Sequence, residues 1–335
     1  MTRAVTRALT RRTRRRGLVA ALLTAASLAA CTGNADSGDD AAAQRTPVVA
    51  PSVATTTATS VMEQAATARV DATPAGEAAR AEVYAGPALE SANAFAKALA
   101  TQTPAEKANA ELSADVRVLA VSAAPTVPQQ ILVQGSREKT GDAVLVLLQA
   151  DKAGAPFKIV AETPMLPQAK LDALDPTTSG SAPLADTTGL VAAPKEVLEA
   201  FAASIAFPDP KTSDLIAADP LSDQLRSSAA AQAKALASGG VFTQTHTPGE
   251  ILGGLKLKDG KGAVVFAHLV RDDRIAMRTP VKLTPAKDVT AITGVKLITT
   301  EAELTSNEIV ALVIPETGSA RVIASWEQLV SGSGR

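Results

Sequence analysis

The chain has 335 residues, 46% hydrophobic and only 2% aromatic, with a formal net charge of −1. Seven of its 33 basic residues and none of its 34 acids fall in residues 1–30, so the remainder carries 26 bases against 34 acids, a net of −8. Such an acidic body excludes nucleic acid as a partner, because phosphate neutralisation needs basic patches, and a single cysteine excludes an internal disulfide.

The first sixteen residues hold Arg3, Arg7, Arg11, Arg12, Arg14, Arg15 and Arg16, and an uncharged run, GLVAALLTAASLAA, follows from Gly17 to Ala30. That run of fourteen residues is shorter than the roughly 20 needed to span a bilayer. A basic head, a short apolar stretch and small residues at its end are the parts of a secretory signal peptide. The run closes as Leu28-Ala29-Ala30-Cys31. This resembles the bacterial lipobox, which implies cleavage after Ala30 and acylation of Cys31 as the lipid attachment site. Two acyl chains hold a protein stably where one holds it marginally. The expected location is the extracytoplasmic face of a cell membrane. Thr13-Arg14-Arg15-Arg16-Gly17-Leu18 also resembles a twin-arginine signal, so the export route stays open.

Residues 31–58, rich in Ala, Thr, Ser, Pro and Asp, contain little large apolar content and read as a disordered tether. Two regions of similar plan follow. In each, a proline (Pro87, Pro220) opens a helical segment that ends in AKALA, at 96–100 and 233–237. Strand-like runs come next: Val116 to Val121, Ile131 to Val133, and a hairpin of Ala143 to Gln149 with Phe157 to Val160 in the first region. The second has Val241 to Thr247, Leu255 to Lys258, and a hairpin of Ala263 to Val270 with Ile275 to Met277 across Arg271–Arg274. Thr163-Pro164 and Thr279-Pro280 follow the two hairpins. The chain continues with Val289 to Thr299 and a last hairpin, Ile309 to Ile314 with Arg321 to Ser325. Asp175 to Ala193 is rich in Pro, Gly, Ser and Thr and reads as a linker. The expectation is an α+β chain with two tandem helix-plus-antiparallel-sheet, cone-like domains: signal peptide 1–30, tether 31–58, first domain 59–174, linker 175–193, second domain 194–330.

This helix-then-sheet order resembles the cone-shaped fold of nuclear transport factor and ketosteroid isomerase. With the alanine-rich composition and the lipobox, residues 60–330 resemble actinobacterial lipoproteins that carry two such domains in tandem. The resemblance implies a fold and an envelope location and carries over no catalytic residue.

Candidate chemistry is sparse. The only histidines, His246 and His268, fall in strand-like runs that could share a sheet, but no third metal ligand or nucleophile is placed with them, and His268 reads as a core or sheet-face residue. Ser136-Arg137-Glu138-Lys139 and Lys139-Thr140-Gly141 match two penicillin-binding motifs, yet they share one lysine within one turn, which those enzymes do not allow. Tyr84, the only tyrosine, reads as half-buried packing, and Asp272-Asp273 as a solvated turn. No catalytic residue, cofactor or metal is expected. The expected function is a non-enzymatic, lipid-anchored envelope module that binds a small apolar ligand or an envelope protein; the alternatives are an enzyme working in a cone pocket and a structural component of an envelope assembly.

Overall fold

The computed structural model describes residues 45–335. Cys31 and the signal peptide lie outside the described residues. Four helices come first: α1 (Pro51–Ala68), α2 (Pro74–Val83), α3 (Gly86–Ala100) and α4 (Pro104–Ala110). Each carries proline in its first turn, where a missing N–H costs nothing. The tether reading fails from Arg45 onward, since residues 51–58 are the opening turns of α1. Its buried stripe, Ala54, Ala58, Met62 and Ala65, has helical spacing. Alanine offers little area per residue, so composition understates a helix whose small face lies close on its sheet.

The first sheet is β1 (Arg117–Val121), β2 (Gln129–Ser136), β3 (Ala143–Ala150) and β4 (Lys158–Pro164), antiparallel and in sequential order. The second half repeats the plan. Helices α5 (Pro194–Ile205) and α6 (Pro220–Leu236) precede β5 (Gly240–Lys256), β6 (Ala263–Met277), β7 (Glu301–Ile314) and β8 (Arg321–Gly334), again antiparallel and sequential, with α7 (Lys287–Thr293) between β6 and β7. The chain is therefore α+β, with helices before a four-stranded antiparallel sheet in each half.

Two strands differ from expectation. The runs Val241–Thr247 and Leu255–Lys258 are parts of one strand, β5, whose register shifts at Pro248 and Ile251. As an edge strand it tolerates proline at a bulge. The supposed turn Arg271–Arg274 is the middle of β6, paired on both sides from Ala263 to Ala276. Asp272 and Asp273 are not in a turn. The adjacent strands supply their partners: Thr305 Oγ1 donates to Asp272 at 2.7 Å, and Gln244 Nε2 to Asp273 at 2.8 Å.

Parity along β6 sorts its side chains between two cores. Val265, Ala267 and Leu269 pack with Val197, Leu198, Phe201 and Ile205 of α5. Val264 and Phe266 face the other way, into a cluster with Leu132, Leu145 and Leu147 of the first sheet and Ile309, Ala311 and Val313 of β7. The two sheets thus share one continuous core. The 175–193 segment is woven into both of them rather than hanging free. Ser181 N donates to Val121 O at 2.7 Å, Lys256 N to Ala182 O at 2.9 Å, and Val191 N to Pro315 O at 2.7 Å. At Gly180, with φ of +74°, a β-carbon would come within 2.9 Å of Ala123 Cα, so only glycine permits this approach. Among the described residues no helix is long and apolar enough to cross a membrane.

Candidate functional site

An open groove of about 910 Å³ lies between the first sheet and Met165–Pro176. Its floor and its wall belong to different halves. Arg117, Leu119, Gln134, Ala143 and Leu145 of β1 to β3 form the floor. The wall is held by the second half: Leu166 N donates to Ile323 O at 2.9 Å, Arg321 Nη1 to Lys170 O at 2.8 Å, and Lys258 N to Ala173 O at 2.9 Å. A segment tethered to one sheet cannot settle fully on the other, and the gap stays open. Leu119, Met165, Leu171 and Leu174 give the groove apolar surface, matched by polar surface from Arg117, Gln134, Lys170 and the rim carboxylates, and its volume is in the range of ligand pockets, about 300–1,000 Å³. Gln168, in the wall, is the one non-glycine with positive φ among the described residues, at 64°. Such strained positions cluster at ligand clamps.

Two buried polar clusters lie elsewhere. In the first, Arg69 at the end of α1 meets Glu162 of β4 at 2.5 Å, and Tyr84 donates to the same carboxylate at 3.0 Å. The Arg69 guanidinium stacks 4.4 Å from the Phe95 ring centroid. Burial opposes the charge on Arg69, but Glu162 and then Tyr84 outweigh it and raise its pKa. Burial, reinforced by the Glu162 charge, pushes the Tyr84 hydroxyl well above its ordinary value. Tyr84 is therefore not half-buried packing: it is 1% exposed and anchors an acid that sequence reading did not connect with it, 78 positions away. The pairing offers a substrate no approach, because the ring and the carboxylate both lie in the core.

The second cluster crosses the face of the second sheet that α5 partly covers. His246 Nδ1 lies 2.7 Å from Glu308 Oε2, and its Nε2 lies 3.2 Å from Gln244 Oε1. Asp273 holds the Gln244 amide through its nitrogen, so both imidazole nitrogens look at acceptors. An imidazolium donates to both; a neutral ring donates to one. Arg271 bridges Asp273 and Glu327, each at 2.5 Å. Burial opposes the Arg271 charge, and its bond to Asp273 and the charges of Glu327, Asp273 and Glu308 more than restore it. Burial raises the pKa of Glu327, Arg271 works against that, and Glu308 and Asp273 add to it. The His246 side chain is 0% exposed, while that of Glu327, at the other end of the cluster, is 39% exposed.

His268 is on the adjacent strand but the opposite face, where its Nε2 meets Asn307 Oδ1 at 2.9 Å. Register decides this: His246 pairs with Arg271, an odd number of positions from His268, so the two rings cannot share a metal. Ser136 ends β2, and the 137–142 turn that holds Lys139 closes with Arg137 N donating to Asp142 O at 2.9 Å. No protein-family model, curated protein or solved structure matches the chain.

Proposed function

We propose that this chain is a non-enzymatic binding protein of the cell envelope, anchored through acyl groups on Cys31 at the extracytoplasmic face of a membrane. It takes a small apolar ligand into the groove beneath Met165–Pro176. The groove itself carries the reading: a floor of mixed polar and apolar side chains from one half and a wall pinned by the other border ligand-sized space, with Leu119, Met165, Leu171 and Leu174 as its apolar contacts. The start of the described chain supports the location. Arg45 lies on the rim, paired with Asp175 at 3.3 Å, fourteen positions after Cys31. Fourteen residues reach at most about 50 Å, so an anchored Cys31 would keep the groove near the lipid surface. The helix-then-sheet order repeated in both halves supports the resemblance to tandem cone-domain lipoproteins.

Two measurements test this. Mass spectrometry of the mature N-terminus should find a diacylated Cys31, and Cys31→Ser should leave the membrane fraction or persist as precursor; any other N-terminus ends the anchor reading. With ¹³C-methyl methionine labelling, a neutral alkyl detergent below its micelle threshold should shift Met165, which lines the groove, and leave buried Met62 unmoved.

A further inference from the structure

We propose that the groove selects amphiphiles with an anionic head, a carboxylate or phosphate on an alkyl chain; this rests on the groove being a binding site and adds the charge of what it binds. The rim is short of negative charge. Two of its three carboxylates are already paired, Asp172 with Arg321 at 2.5 Å and Asp175 with Arg45 at 3.3 Å. The third, Asp142, accepts from Thr140 Oγ1 at 2.7 Å. Two cations border the same space. The Arg117 guanidinium has only a neutral acceptor, Gln134 Oε1 at 2.8 Å, and Lys170 has no carboxylate partner among the described residues.

An alkyl chain laid against Leu119, Met165 and Leu171 would leave water and bury apolar surface. Its head would then sit at the rim, where a guanidinium fork matches a carboxylate or phosphate. Arg117 and Lys170 are both exposed. Their contribution is therefore screened by salt and acts on selectivity more than on total affinity. A cationic head on the same tail meets two like charges, with Asp142 the single carboxylate left without a basic partner. A neutral head gains neither attraction nor repulsion.

The test uses the full chain carrying Cys31→Ser, so that no acyl group of its own competes. Decanoate, decyl maltoside and decyltrimethylammonium are titrated below their micelle thresholds while the Met165 methyl signal is followed. Decanoate should bind roughly tenfold more tightly than decyl maltoside at low salt, and decyltrimethylammonium more weakly than either. In Arg117→Gln/Lys170→Gln that preference should fall to within about twofold, with decyl maltoside unaffected. Both sites are exposed, and an unchanged Met62 signal verifies the fold. Equal binding of decanoate and decyl maltoside, or tightest binding of the cation, with Met165 shifting in each case, overturns the anionic preference and leaves the groove standing as a binding site. No Met165 shift with any of the three overturns both.

Discussion

Tyr84 is the one tyrosine, which makes it a spectroscopic reporter of its own burial. Its folded pKa is raised above the ordinary value of about 10. The folded state therefore keeps a proton that the unfolded chain gives up, so this contribution to stability is complete below about pH 10 and is lost as pH climbs toward the folded value. Absorbance near 295 nm should show no tyrosinate until the protein unfolds, and Tyr84→Phe should weaken the alkaline dependence of stability. Reversible ionisation near pH 10 with native circular dichroism would contradict the burial. Its partner Glu162 should be costlier to lose. Glu162→Gln strands Arg69 in the core, and removing one member of a buried pair costs about 3–5 kcal/mol. Urea unfolding should show that loss, and Arg69→Met/Glu162→Leu should be less destabilised than the sum of its single changes. The sequence made the tyrosine visible but not its acid, because only the fold brings them together. The histidines show the same limit in reverse: strand residence was legible, but register put the two rings on opposite faces. His246→Gln/His268→Gln should lower the melting temperature through the Glu308 and Asn307 contacts; stoichiometric zinc in the wild type that vanishes in this variant would overturn that assignment.

Helix starts and strand pairing were legible to different degrees. The prolines that open α3 and α6 mark real first turns, and the AKALA runs fall at the ends of those helices. The α1 helix was missed because a stripe of alanines gives weak apolar contrast among threonines, although its spacing was helical throughout. In β6, Arg271 to Arg274 looked like a turn because four charges in a row suit solvent, and the side-chain partners that let them remain in a strand come from β5, β7 and β8. The start of α5 is incomplete in a way that can be repaired. Glu196 accepts from the Ala193 backbone N–H at 3.1 Å, one half of a capping box, but an alanine side chain has no oxygen to return the bond. Ala193 already has extended backbone angles, φ −63° and ψ 142°. Ala193→Ser should therefore stabilise the protein by about 0.5–2 kcal/mol, read as a higher urea midpoint at constant slope. A neutral or negative effect would mean that the α5 start is satisfied some other way.

Across the whole molecule, the tandem plan read from sequence describes the order of elements, while packing joins the halves. Residues 45–335 form one compact unit, and the cluster that holds Leu145 and Leu147 of β3 also holds Phe266 of β6 and Ile309 of β7. Pattern alone could not reveal this, because a strand's apolar face looks the same whether its cover is a helix or another sheet. Cutting the chain between the halves would expose that shared face on both fragments. The Asp175–Ala193 stretch has a linker's composition, but its backbone N–H and C=O groups are used by strands of both sheets, so local opening there must break those bonds. Calorimetry should accordingly show one transition, with calorimetric and van't Hoff enthalpies in agreement. Limited proteolysis should not release two resistant fragments at 175–193. Residues 45–174 and 194–335 expressed apart should each be aggregation-prone, and mixing them should restore the near-ultraviolet signal of Trp326, whose ring packs 6.2 Å from Phe95 across the join. Two separated thermal transitions, or a soluble fragment with sharp methyl resonances of its own, would show that the halves are self-sufficient and that the groove between them opens and closes with their docking.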